Sequence, residues 1–117
     1  MYTPSDRMLR LAQALKDEVD RHLASHHRLV DFAKKFGIGK TALCCAFKNL
    51  TSKSLLHYLE QARAEAAIVI MRRFPERTLR DIAQEVGYRK TRRLRYAFII
   101  TFGKPPKAIL NEIRKPV

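Results

Sequence analysis

The chain carries one sequence pattern twice. The segments "FAKKFGIGKT" at Phe32–Thr41 and "IAQEVGYRKT" at Ile82–Thr91 share the order apolar, Ala, polar, polar, apolar, Gly, apolar, and both end in Lys-Thr. The correspondence continues in three further pairs, which are Phe47 with Phe98, Ser52 with Gly103, and Leu59 with Leu110. These later pairs indicate one extra residue in the second copy, either in its second helix or in the turn before it. Two copies about fifty residues apart are typical of a duplicated motif and not of a solenoid.

Apolar residues recur at helical spacing along most of the chain, and no run shows the alternation of a half-buried strand. We therefore predict an all-α fold of about seven helices, with helix-turn-helix subdomains at 1–53 and 75–117 joined by a linker helix at 54–74. The first helix is predicted to start at Pro4 to Asp6, and the last helix to begin at Pro105 and Pro106. The five helices between them are predicted at about Leu29 to Gly37, Lys40 to about Leu50, Ser54 to about Arg73, Thr78 to Gly87, and Lys90 to Phe102.

Local signals support several of these boundaries. Gly37 suits the left-handed turn that closes a helix. Thr78, with Asp81 three residues later, is typical of a capping box at a helix start. The long helix is predicted to pack through one stripe of apolar residues, which are Leu55, Leu59, Ala62, Ala66 and Val69.

The charge of the chain indicates a polyanionic partner. Its 117 residues correspond to about one domain, which is small for an enzyme with separate cofactor and substrate domains. Lys and Arg number 24 against 11 acidic residues, a net charge of +13, and such a surface attracts nucleic acid. Residues 72–117 hold 13 of these basic and 4 of these acidic residues, so we expect the second half to make the stronger contact.

No membrane association is expected, because the longest apolar run, Ala66–Met71, is far shorter than the ~20 residues that cross a bilayer. The N-terminal segment also lacks the apolar core of a signal peptide. The two cysteines are adjacent and form no disulfide framework, which fits a reducing cytoplasm. A nucleic-acid partner would place the chain at the nucleoid.

The segment "FGIGKTALCCAFKN", Phe36–Asn49, contains the Gly-Lys-Thr that ends a phosphate-binding loop. Such a loop also requires a glycine at position 34, where this chain has Lys34, and a buried strand before it. The segment is therefore better interpreted as the corner of a helix-turn-helix. This argues against a nucleotide-binding enzyme, and no catalytic residue is predicted.

Cys44 and Cys45 lie in the same segment. Neighbouring residues on a helix point about 100° apart, and no CxxC motif or nearby His completes a metal site. We predict no metal and no cofactor, and we interpret the cysteines as structural, with Leu43 and Phe47 on the buried edge and at least one cysteine facing outward. A redox or heavy-metal role for an exposed cysteine is the alternative.

The run "RKTRRLRY", Arg89–Tyr96, gives the strongest functional signal, because its charges surround the apolar anchor Leu94. At the start of the second helix of a helix-turn-helix, an arginine can enter the major groove and donate two hydrogen bonds to guanine O6 and N7. The predicted DNA-binding residues are Lys40, Thr41, Ala42, Cys44 and Cys45 in the first copy, and Arg89, Lys90, Thr91, Arg92, Arg93, Arg95, Tyr96 and Lys104 in the second.

Three segments resemble the DNA-binding domain of the AraC/XylS family of bacterial transcription regulators. "TLRDIAQEVGY" is similar to the family's helix and Gly-aromatic turn, and "AFIITFGKPP" to its closing Phe, aromatic-Gly and Pro segment. "FKNLTSKSLLHYLEQARAEAA" is similar to the stretch that ends the first motif and enters the linker helix. The resemblance, over roughly Leu29–Leu110, implies a transcription regulator that binds double-stranded promoter or operator DNA. RNA polymerase is a further candidate partner, and the chain is either a small stand-alone member or the DNA-binding part of a longer regulator.

The chain departs from the family pattern at three positions. In the first motif, Cys45 stands where members often have Arg, and Ser52 stands where Gly is usual. In the second copy, Ile109 replaces a common Tyr. We therefore expect the first recognition helix to contribute phosphate contacts and shape more than base contacts.

A linker helix of ~20 residues rises ~30 Å, close to the ~34 Å of one turn of DNA. One chain is thus expected to place two helices in successive major grooves without a dimer. Two alternatives stay open at this point: a non-specific nucleic-acid binder, and a protein-interaction module that retains the fold.

Overall fold

The computed structural model describes residues 3–115, and this part of the chain is 74% helical with no strand. Its seven helices are α1 (Asp6–Arg21), α2 (Leu29–Phe36), α3 (Lys40–Thr51), α4 (Leu55–Arg73), α5 (Leu79–Val86), α6 (Thr91–Phe102) and α7 (Pro106–Arg114). The predicted all-α fold is confirmed, with helix ends within a residue or two of those expected from the sequence. The chain forms two compact units that divide between Leu59 and Glu60, so α4 contributes residues to both.

The first unit has a core built by α1, α2, α3 and the start of α4. The fully or nearly fully buried residues of the unit are Ala12, Leu15, Val19, Ala33, Leu43, Ala46, Phe47, Leu55 and Leu59. Phe47 also meets the ring of Tyr58 edge to face, with centroids 5.5 Å apart. This geometry is favourable beyond simple burial of the two rings.

A polar cluster at the surface of the first unit joins α1 to α4. The Tyr58 hydroxyl donates a hydrogen bond of 2.5 Å to Asp20 Oδ1, and Lys16 Nζ lies 2.9 Å from Oδ2. Burial acts to raise the pKa of Asp20, but the hydrogen bonds from Tyr58 and Lys16 outweigh it and the pKa lies below its ordinary value. The carboxylate is therefore held in its charged form.

The second unit has its own core, formed by the rest of α4 with α5, α6 and α7. Its buried residues are Ala64, Ala67, Met71, Ile82, Ala83, Val86, Tyr88, Leu94, Ala97, Phe98 and Leu110. Phe98 packs edge to face on Phe102 with centroids 5.2 Å apart. The arrangement fixes α6 by one side only, so its other side is available to a partner.

The single apolar stripe predicted along α4 is confirmed only in part. Leu55 and Leu59 are buried as expected and Ala62 and Ala66 are half-buried, with Ala66 packed against the second core, but Val69 is 56% exposed. In the second unit α4 instead buries Ala64, Ala67 and Met71. The reason is that α4 serves two separate cores, so its buried face is not one continuous line at helical spacing.

The two copies of the repeat differ by one residue in the turn. Helices α2 and α5 each have 8 residues, and α3 and α6 each have 12. The turns end at the N-caps Gly39 and Lys90, so the extra residue lies in the second turn and not in α6. As a consequence Lys40 is equivalent to Thr91, and the shared Lys-Thr of the sequence alignment occupies different structural positions.

Helix ends follow the expected chemistry. Gly37 and Gly87 adopt the left-handed conformation, with φ of 68° and 109°, as glycine does readily. The Thr78 side chain accepts a hydrogen bond from the Asp81 backbone N–H at 3.1 Å, which confirms the predicted cap. Ser52 closes α3 with φ of 64°, a conformation that costs free energy for a residue with a Cβ.

Within the described residues, no helix is both long enough and apolar enough to cross a membrane.

Candidate nucleic-acid interface

The second helix of the second unit, α6, presents most of the predicted site. Leu94, Ala97 and Phe98 are fully buried and fix the helix in the core. The residues that face away from the core, and are exposed, are Arg92, Arg93, Arg95 and Tyr96, while Thr91 is half-buried. The amphipathic pattern of α6 therefore places three arginines and a tyrosine on one outward surface.

A basic concavity lies at the turn between α5 and α6. It has a volume of about 560 Å³ and is lined by Arg80, Arg89, Lys90, Thr91 and Arg92. The structure thus brings four predicted site residues together and adds Arg80, which the sequence reasoning missed. Arg80 is exposed in the first turn of α5, and its place beside the concavity depends on how α5 packs on α6, which helical spacing does not specify.

These cations differ in whether an acidic group of the same chain neutralises them. Within residues 3–115, no carboxylate pairs with Arg80, Arg89, Lys90, Arg92 or Arg95. Lys104, in contrast, lies 3.2 Å from Glu112 Oε1, with both side chains exposed. Five cations of the second unit without a carboxylate partner therefore lie together at the turn and along α6, where they attract an anion.

Arg93 is bound by a residue of α4. Its Nη2 lies 3.2 Å from Glu60 Oε1, and the Glu60 side chain is only 4% exposed whereas that of Arg93 is 52% exposed. The guanidinium also lies over the Tyr96 ring, 5.7 Å from the centroid. A buried carboxylate requires a partner, so Arg93 contributes to the fold as well as to the charge of α6.

Tyr88 follows the turn glycine of the second unit and is 6% exposed. The Arg63 guanidinium lies over its ring, 5.1 Å from the centroid. Burial raises the pKa of Tyr88, and the positive charge of Arg63 acts in the opposite direction. The tyrosine is therefore neutral and serves as an apolar anchor beneath the basic turn.

The corresponding surface of α3 carries little charge. Lys40 and Thr41 are exposed, and Ala42, Cys44 and Cys45 are half-buried. At least one cysteine was expected to face outward, but both are partly shielded from solvent. Cys44 borders a groove that is also lined by Leu29, Leu55 and Leu59. Among the described residues no three His, Cys, Asp or Glu side chains are grouped as metal ligands are.

Comparison with known proteins agrees with this geometry. Residues 32–112 match the model of a family described as "Helix-turn-helix domain". The chain is 30% identical over 96 residues to the regulatory protein SoxS of Salmonella typhimurium, a match that covers 82% of this chain and 89% of SoxS.

The chain belongs to the AraC/XylS family.

A second relative is the Msm operon regulatory protein of Streptococcus mutans, 26% identical over 100 residues, which cover 86% of this chain and 36% of that protein. Two solved structures share the fold. The C-terminal domain of AraT, a response regulator from Geobacillus stearothermophilus, has a TM-score of 0.75, 21% identity, and coverage of 95% of this chain and 88% of that one. The C-terminal domain of the response regulator yesN from Fusobacterium nucleatum has a TM-score of 0.70 at 20% identity, covering 91% and 99%.

Membership in the AraC/XylS family confirms the interpretation of the repeat as two helix-turn-helix motifs. The chain is a DNA-binding transcription regulator. In this family member, Phe36–Asn49 forms the end of α2, the turn and most of α3, so the Gly-Lys-Thr of that segment lies at a helix-turn-helix corner.

Proposed function

We propose that this regulator recognises a specific double-stranded DNA sequence and that α6 makes most of the base contacts. The observation that carries the proposal is the outward surface of α6. Arg92 and Arg95 are exposed there, and no carboxylate in the described part of the chain forms an ion pair with either of them. An arginine in the major groove can donate two hydrogen bonds to O6 and N7 of one guanine.

The basic concavity supports the same proposal. Arg80, Arg89 and Lys90 lie beside the first turn of α6, where the helix N-terminus adds partial positive charge. Phosphates of the DNA backbone are the natural ligand of such a group, and contacts of this kind set the register of the reading helix. We therefore assign these three residues to the backbone and Arg92 and Arg95 to the bases.

The first motif has a different composition at equivalent positions. Counting from the helix starts, Thr41 takes the place of Arg92, Cys44 that of Arg95 and Cys45 that of Tyr96. Lys40 is the exposed cation at the start of α3. We propose that α3 contacts DNA mainly through phosphates and shape, with Lys40 bound to one phosphate.

We further propose that α3 and α6 engage successive major grooves from a single chain, with 1–53, 54–74 and 75–117 acting as first motif, linker and second motif. The support is the repeat itself, since two helix-turn-helix motifs in one chain can serve two half-sites. We also propose that the protein acts in the cytoplasm, bound to the nucleoid, and that RNA polymerase is its protein partner. This location and this partner fit a regulator that binds promoter DNA.

The test compares single alanine variants on a duplex selected from random DNA. Arg92→Ala and Arg95→Ala should each cost ~1–3 kcal/mol of binding on that duplex and relax the preference at one base pair. Lys40→Ala should weaken selected and random duplexes about equally and reduce the slope of log affinity against log salt by about one. Circular dichroism confirms that each variant is folded.

Three outcomes would contradict this assignment. If Arg92→Ala and Arg95→Ala weaken selected and random DNA alike, while Thr41→Ala changes the base preference, then α3 is the reading helix. If bulk DNA competes as well as the selected duplex, the protein is a non-specific binder. If no duplex binds even at low salt, the fold serves protein interaction instead.

A further inference from the structure

Helix α6 exposes three large apolar side chains that the fold does not use. Tyr96, Ile99 and Ile100 are 52%, 50% and 48% exposed, whereas Leu94 and Phe98 are fully buried. Large apolar groups in one exposed cluster mark a contact surface more often than isolated ones do. This cluster lies on the same helix as the unpaired arginines.

The first copy of the repeat shows that the fold has no need of apolar residues at the positions of Ile99 and Ile100. Because α3 and α6 have equal length, the equivalents of Tyr96, Ile99 and Ile100 are Cys45, Lys48 and Asn49. Lys48 and Asn49 are exposed as well. The apolar character is therefore particular to α6, and its explanation lies in what α6 contacts.

Spacing along the helix separates Ile99 from Ile100. Groove-reading helices contact bases from positions at i, i+3, i+4 and i+7, as in homeodomains. Starting from Arg92, these positions are Arg95, Tyr96 and Ile99. Ile100 is rotated by about 100° from Ile99 around the helix axis. It is therefore not one of the positions i, i+3, i+4 and i+7 counted from Arg92. The predicted reading face thus has two arginines in its first part and two apolar residues beyond them.

The orientation of Tyr96 is supported by its neighbours. The Arg93 guanidinium lies 5.7 Å from the centre of the Tyr96 ring and is itself bound to Glu60 at 3.2 Å. Arg93 is thereby turned toward the ring and toward α4. It acts as a positioning residue, and Tyr96 presents an ordered apolar surface on the reading face.

We propose that Tyr96 and Ile99 contact the 5-methyl groups of thymine in the major groove. Among the base edges exposed there, the thymine methyl is the apolar group, and apolar side chains are its usual contacts. The preferred site then combines guanines, bound by Arg92 and Arg95, with thymines next to them. This inference rests on the proposed function, because it requires α6 to lie in the groove.

The experiment removes single methyl groups from the DNA. In the duplex selected from random sequences, each thymine is replaced in turn by deoxyuridine, which pairs identically but lacks the methyl. Loss of one contact with a CH₂-sized group should weaken binding by about fourfold. The scan is repeated with Ile99→Ala, Tyr96→Ala and the matched control Ile100→Ala, which removes an equally exposed isoleucine from the adjacent position.

The proposal is supported if deoxyuridine at one or two positions lowers the affinity of the parent protein about fourfold. Ile99→Ala or Tyr96→Ala should then bind the substituted and unsubstituted duplexes equally, whereas Ile100→Ala should still show the fourfold difference. The proposal is overturned if no position matters, or if all three variants keep the full sensitivity. Specific binding that ignores methyl groups would remove this inference and leave the proposed function standing. Absence of any DNA binding by the folded parent would remove both.

Discussion

The ion pair between Glu60 and Arg93 offers a direct test of how α6 is held against α4. Arg93→Ala leaves the buried Glu60 carboxylate without the partner that lies 3.2 Å from it. Glu60→Gln combined with Arg93→Ala removes the uncompensated charge again. If the pair stabilises the second unit by satisfying a buried charge, the single arginine variant should be the least stable and the double variant should recover part of the loss.

The expected magnitude follows from distance and burial. Two unit charges 3.2 Å apart attract by about 5 kcal/mol at an effective dielectric constant of ~20. The Arg93 side chain is 52% exposed, so water screens much of this attraction in the folded protein. Removing one member of a fully buried pair costs about 3–5 kcal/mol. We therefore expect Arg93→Ala to cost ~1–3 kcal/mol, less than the fully buried case.

Urea denaturation followed by circular dichroism measures the free energy of unfolding, and hydrogen exchange of α4 and α6 assigns the change to the second unit. Arg92→Ala is the matched control, because Arg92 is the adjacent exposed arginine without an ion pair among the described residues. It should change stability by less than about 0.5 kcal/mol and yet reduce DNA affinity. Equal stability of Arg93→Ala and Arg92→Ala, or no recovery in the double variant, would refute the reasoning.

Three other predictions concern stability. Ser52 and Gly103 both have positive φ, of 64° and 72°, which is costly for a residue with a Cβ. Urea denaturation should therefore show that Ser52→Gly stabilises the first unit and that Gly103→Ala destabilises the second, each by ~1 kcal/mol. A change of the unfolding free energy in the same direction for both variants would contradict this. Tyr88→Phe should change the free energy of unfolding by less than ~1 kcal/mol, because the buried hydroxyl makes no well-formed hydrogen bond among the described residues, although Arg63 lies against the ring. A clear loss in the urea midpoint would show that the hydroxyl is bonded to Arg63. Asp20→Asn should cost less than about 1 kcal/mol at neutral pH, since both side chains of the Lys16–Asp20 pair are partly exposed and water screens their interaction. The Asp20 pKa is lowered on folding, so this contribution is complete above the unfolded value near pH 4 and disappears as the pH falls through the lower folded value; urea midpoints that differ equally at pH 2 and pH 7 would contradict the assignment.

Helix boundaries were predictable because local chemistry decides them. Gly37 and Gly87 close their helices in the left-handed conformation, and Thr78 caps the start of α5 through its side chain. These signals act over three or four residues and need no knowledge of tertiary contacts. The same holds for the apolar anchor Leu94, which the local sequence pattern was sufficient to identify and which is fully buried.

Features that depend on contacts between distant residues were not predictable. The change of buried face along α4 arises because Leu59 and Ala64 belong to different cores, and periodicity assumes one. Charged residues are rarely buried without a partner, and the burial of Glu60 is explained by its contact with Arg93, 33 residues later. Arg80 joins the basic turn through the packing of α5 on α6, which no spacing rule specifies.

The repeat allows structural and functional requirements to be separated within one chain. Positions that build the core are nearly the same in both copies, since Leu43, Ala46 and Phe47 match Leu94, Ala97 and Phe98 in type and in burial. Outward positions have diverged completely, from threonine and cysteine in α3 to arginine and tyrosine in α6. Cys44 and Cys45 are half-buried whereas Arg95 and Tyr96 are exposed, so packing accounts for part of this difference. We infer that a ligand accounts for the exposed residues of α6, because their charge and apolar character together fit the edges of guanine and thymine in a major groove.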